Sequence, residues 1–106
     1  MASGILGQAA LSATTNTTVY TVPTSTLAVV NINIVNRSTS ASADVRVAFA
    51  ATATPQTSEW IEFDTTIPPK GVLERTGIAI NAAERVVVYA STANCSVSVY
   101  GLEQTV

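Results

Sequence analysis

A chain of 106 residues in which 11% are charged, 47% are hydrophobic and none is His has the length of one domain. It carries too few charges for the surface of an ordinary soluble monomer, where they make up about 25% of residues. Five Lys and Arg against seven Asp and Glu leave a net charge of −2, which excludes a nucleic-acid partner held by phosphate neutralisation.

Residues 1–15 (MASGILGQAALSATT) hold Ile5, Leu6 and Leu11 but show neither strand alternation nor helical periodicity. They lack the basic opening of a signal peptide. Extended at about 3.3 Å per residue, such an arm reaches ~50 Å. It reads either as a frayed terminus or as an assembly arm that orders on a neighbouring subunit, disordered tails being commonly more polar.

From residue 16 onward the composition turns to strands. Thr and Ser make up roughly a quarter of the chain, Val and Ile roughly a fifth, and β-branched residues fit pleated sheets better than helices. Seven strands are predicted. Thr17–Val22 is closed by Pro23. Leu27–Asn36 sets Val30, Ile32 and Ile34 against Asn31 and Asn33, and Asp44–Ala51 sets Val45, Val47 and Phe49 against Asp44 and Arg46. Glu59–Asp64 places Ile61 and Phe63 opposite Trp60, Glu62 and Asp64. Gly71–Ile80 is expected to bend near Gly77. In Arg85–Ser91 the run Val86, Val87, Val88, Tyr89 implies a strand covered on both faces. Cys95–Leu102 alternates Cys95, Val97 and Val99 with Ser96, Ser98 and Tyr100. Between them lie polar and proline-rich turns such as Asn36–Ser40 and Pro68-Pro69-Lys70-Gly71. The expected fold is all-β: a single antiparallel β-sandwich over residues 16–106, Ig-like or jelly-roll-like, with an extended N-terminal arm over 1–15.

Residues that carry chemistry are scarce. One Cys forbids an intrachain disulfide, and without His no thiolate–imidazole metal site assembles in one chain. Glu62 and Asp64, at i and i+2, are the one carboxylate pair on a shared strand face. Such pairs serve acid–base chemistry or Ca²⁺, yet on a solvent face beside Trp60 they simply keep that face wet. Cys95 reads as a small buried hydrophobe. No catalytic residue, cofactor or metal site is predicted, and no apolar run reaches the ~18 residues of a membrane span. Asn16, Asn36 and Asn94 open Asn-x-Ser/Thr triplets, which chance supplies in a chain so rich in Thr and Ser. Trp60 and the tyrosines are packing or interface groups, or a stacking platform for sugars.

Two stretches, VYTVPTSTLAVVNINIVNRSTSASADVRVAFA (19–50) and VVVYASTANCSVSVYGLE (86–103), with Phe63-Asp64-Thr65-Thr66-Ile67 between them, resemble small virion structural proteins of tailed bacteriophages, including phages of cyanobacteria. The resemblance spans most of residues 17–103 and rests on packing and turn residues. It implies a non-enzymatic β-sandwich that assembles as a homo-oligomer, often a trimer, on the virion. The expected function is a capsid decoration (cement) protein binding across major capsid protein subunits, with Ile5, Leu6, Leu11 and Trp60 as the candidate assembly interface. The alternatives are a tail, baseplate or fibre component, and a carbohydrate-binding module using Trp60 with the loops around Asn36 and Asn94.

Overall fold

The computed structural model describes residues 3–106. Its strands are β1 (Ser3–Ala10), β2 (Thr17–Thr21), β3 (Thr26–Asn36), β4 (Ala43–Ala50), β5 (Trp60–Ile67), β6 (Val72–Ile80), β7 (Arg85–Ala90) and β8 (Cys95–Thr105), with one turn of 3-10 helix at Thr57–Glu59. They form two four-stranded sheets, ordered β1-β8-β3-β6 and β2-β7-β4-β5. Every ladder is antiparallel.

This order is that of a long hairpin rolled up. β4 pairs with β5, β3 with β6, β2 with β7 and β1 with β8, and rolling adds the β4–β7 and β3–β8 ladders. The architecture is therefore the eight-stranded jelly roll, the second of the two sandwich types the sequence left open.

The core follows the alternation. Val30, Ile32 and Ile34 of β3, Val45 and Val47 of β4, Val86 and Val88 of β7, and Val97 and Val99 of β8 all lie buried between the sheets. Each such side chain contributes about 1.5–3 kcal/mol relative to exposure. β7 is covered on both faces as expected, because Val87 points outward into a second small cluster with Ala48 and Ala50, beneath Trp60.

Three expectations are corrected. Residues 3–10 are not a free arm; they form β1 and pair with β8 from Ser3↔Leu102 to Ala10↔Ser96, so the domain has eight strands rather than seven. The physical reason is that β8 presents two edges and β3 satisfies only one. Glycines and a bulge between Ile5 and Gly7 break the alternation that would have revealed the strand. Leu11, placed on the assembly interface, is 2% exposed and belongs to the main core. Its amide is fixed on the Cys95 carbonyl at 2.9 Å. Phe63, expected inside, is 56% exposed. Between Val45↔Thr65 and Val47↔Glu62 the register shifts, and Asp64 takes a left-handed φ of 54°. The extra residue of this bulge turns Phe63 to the outer face.

Candidate functional site

Two outer faces carry what the fold does not use internally. The first lies on the sheet β1-β8-β3-β6. Register places Ser3, Leu102, Val29 and Ala79 in one cross-strand row and Ile5, Tyr100 and Asn31 in the next. Of the large hydrophobic residues left exposed in the molecule, Ile5 (66%), Leu102 (61%), Val72 (50%) and Val29 (40%) all sit on this sheet. The remaining rows are mixed: Gln8, Ser98, Asn33 and Glu74 in one, and Ala10, Ser96, Val35 and Val72 in the other. Gln8 Nε2 donates to Ser98 Oγ at 3.1 Å. Among the described residues of these strands, Glu74 on the edge strand β6 is the one charge facing outward. Arg75 turns to Glu62 and Glu103 accepts from the Tyr20 hydroxyl. Arg37, just past β3, folds back onto Ser96 Oγ and the Ala93 carbonyl.

The second face, on β2-β7-β4-β5, carries an aromatic and arginine cluster. Arg46 sits across from Tyr89, with its guanidinium carbon 4.5 Å from that ring centre, 4.1 Å from Phe63 and 6.0 Å from Trp60. Asp64 accepts two hydrogen bonds from it, at 2.7 and 3.2 Å. The paired guanidinium holds the Asp64 carboxyl below the ordinary carboxylate range. Trp60 and Phe63 meet edge to face at 5.5 Å and 74°. With Thr57 they line a surface cleft of about 360 Å³.

Glu62 and Asp64 do not form the carboxylate pair that their spacing allowed. The bulge separates them onto different partners. Glu62 accepts from the Thr65 hydroxyl at 2.6 Å and from Arg75 Nε at 2.5 Å, and these bonds, the hydroxyl foremost, keep its pKa low. Because Arg75 belongs to the other sheet, the ion pair bridges the β5 and β6 edges of the sandwich. Among the described residues no group of three or more Cys, Asp or Glu is placed to hold a metal ion.

Of the predicted interface residues, Ile5 faces solvent on the first face and Leu6 packs inward beside the core. Trp60 lies on the opposite sheet from Ile5, so the four residues do not form one surface. The sugar site built from Trp60 with the Asn36 and Asn94 loops does not assemble either. Trp60 pairs with Ala48 near the far end of β4, whereas Asn36 reaches Ala41 just before its start; five residues of strand, ~17 Å, lie between. Asn36 is also fully buried. Tyr100 is expected from sequence as a packing, interface or sugar-stacking group, whereas Val29 and Leu102 carry no such expectation. The signal was the polar face of the third strand, where the residues alternating with the core are Val29, Asn31, Asn33 and Val35, without a charge.

Comparison of the chain with protein-family models, with curated proteins and with solved structures finds no match.

Proposed function

We propose that the chain is a non-enzymatic structural protein of a tailed-phage virion, a capsid decoration protein that binds across major capsid protein subunits as a homotrimer. The observation that carries this reading is the outer face of β1-β8-β3-β6, nearly uncharged and holding most of the exposed large hydrophobics. Such patches mark protein–protein contacts. Jelly rolls serve in viral capsids and in lectins alike, so the fold agrees with a virion role without choosing it.

The mechanism is additive contact. A face four strands wide and about eight residues long covers ~19 by ~26 Å, or ~500 Å², less than the ~800 Å² each partner gives a standard interface. One face alone makes a weak contact. Repetition over a shell converts many weak contacts into lasting attachment.

Leu102→Glu and Val29→Lys place charges on this face. Purified wild-type protein is expected to rebind particles stripped of it and restore their resistance to heat and osmotic shock, while these variants fold normally and do not. Unchanged resistance with and without the protein overturns the cement role. Imaging of labelled particles separates head from tail, where a baseplate or fibre location is the alternative.

The Trp60–Phe63 cleft favours a second reading, a carbohydrate-binding module in which a neutral sugar stacks on the exposed Phe63 ring. Glycan-array binding that disappears in Phe63→Ala and Trp60→Ala supports it, and silence across arrays removes it.

A further inference from the structure

β1 is the least embedded strand of the fold. None of its residues falls in the buried class; only Leu6 and Ala9 pack against the core, and one side-chain hydrogen bond, Gln8 to Ser98, ties it to β8. Strands held this lightly open before the rest of a domain does.

The groove that β1 occupies survives its departure. β8 stays paired with β3 over its whole length, from Asn36↔Cys95 to Thr26↔Thr105. Cys95, Val97 and Val99 remain anchored between the sheets. The chain after β1 is pinned at the Thr14 amide on Ala90, so the acceptor keeps its shape while residues 3–11 leave together, Leu11 releasing its bond to Cys95. Residues 12–13 act as the hinge, since one peptide unit spans only about 3.8 Å.

The groove is also selective. Gly7 lies where a Cβ would stand 2.3 Å from the Val19 carbonyl oxygen of β2. Any other residue at that register meets backbone that cannot yield, whereas Leu6, one position away, fills the core side. A strand that fits therefore needs Gly at this bulged register, which this chain's own Gly7 supplies.

We propose that β1 exchanges between copies: it leaves its own β8 and pairs with the β8 of a second copy in the same register, linking subunits by strand exchange. Every contact of the closed form is reproduced in the exchanged one, so the balance turns on concentration and hinge geometry. This deepens the multi-copy part of the proposed function, naming the segment that joins copies, and its test needs no particle.

Gln8 and Ser98 face each other on the outside of the sheet. Chains bearing Gln8→Cys and chains bearing Ser98→Cys are purified separately, mixed at high concentration and treated with a short thiol-to-thiol linker. The native Cys95 is buried and does not compete. The collision control mixes Gln8→Cys with Glu74→Cys, which lies on the opposite edge of the same sheet. Exchange predicts interchain 8–98 product about tenfold above that control. It also predicts that the doubly substituted chain, Gln8→Cys with Ser98→Cys, shifts from intrachain to interchain links as concentration rises. Interchain product no greater than the control, with the double variant linking only within its own chain at every concentration, overturns the proposal and leaves the capsid reading untouched. A failure to rebind particles would do the reverse.

Discussion

Asn36 is the side chain whose removal should cost most for its size. It ends β3 fully buried, and its Nδ2 donates to the carbonyls of Ala41 (2.9 Å), Ile67 (3.1 Å) and Pro68 (3.3 Å), while Oδ1 accepts from the Ser38 amide at 3.1 Å. One amide thus ties the β3–β4 connection to the end of β5. Asn36→Ala leaves carbonyls and an N–H without partners in a space too tight for easy rehydration. Counting about 1 kcal/mol for each of three good bonds and about 1 more for a stranded buried group gives a loss of about 4 kcal/mol. Domains of this size hold about 5–15 kcal/mol in total. At a urea slope near 1–1.5 kcal/mol per M, the unfolding midpoint should fall by ~3 M. Asn33→Ala, three residues earlier on the outer face, is the matched control and should change stability by less than about 0.5 kcal/mol. A loss below about 1 kcal/mol for Asn36→Ala would refute the argument that this one amide ties the β3–β4 connection to the end of β5.

Four further outcomes follow from the backbone and the buried groups. Gly7→Ala should destabilise by about 2–3 kcal/mol and raise hydrogen exchange of β1 amides above their wild-type rate. Gly4→Ala meets open space but a φ of 101°, which L side chains rarely adopt, and should cost about 1–3 kcal/mol through backbone strain alone. Burial, reinforced by its bond to Glu103, pushes the Tyr20 phenol well above its ordinary range. The unfolded chain releases this proton near pH ~10 while the folded chain keeps it, so stability is complete below that pH and falls as pH rises beyond it. Denaturation midpoints against pH should show an alkaline decline that Tyr20→Phe flattens. Burial likewise raises the Cys95 thiol pKa. Alkylation at pH 8 should therefore be slow in the native protein, fast in urea, and should track global opening; rapid native labelling would contradict the buried placement.

The β3, β4 and β8 strands were legible because each alternates over at least six residues and buries one face, and β7 because its unbroken run Val86, Val87, Val88, Tyr89 marks a strand covered on both faces. There the side-chain period of two states which face points inward, and burial of Val30, Ile32, Ile34, Val97 and Val99 needed no knowledge of neighbours. The absence of outward charge on β3 was equally visible in Val29, Asn31, Asn33 and Val35. What was not legible is everything settled by pairing. β1 reads as an arm because SGILGQAA has no alternation; it is a strand only because β8 has a vacant edge and because Gly7 lets the backbone approach Val19. The outward turn of Phe63 comes from a bulge whose position depends on how β5 meets β4. The same bulge parts Glu62 from Asp64 and delivers them to Arg75 and Arg46. Local preference thus determined an all-β chain and most of its inward faces, since those depend on each strand's own pattern. The jelly-roll order, the fate of the first strand and the two outer faces were decided by tertiary structure, because hydrogen-bonded edges and register shifts exist only between segments distant in the chain.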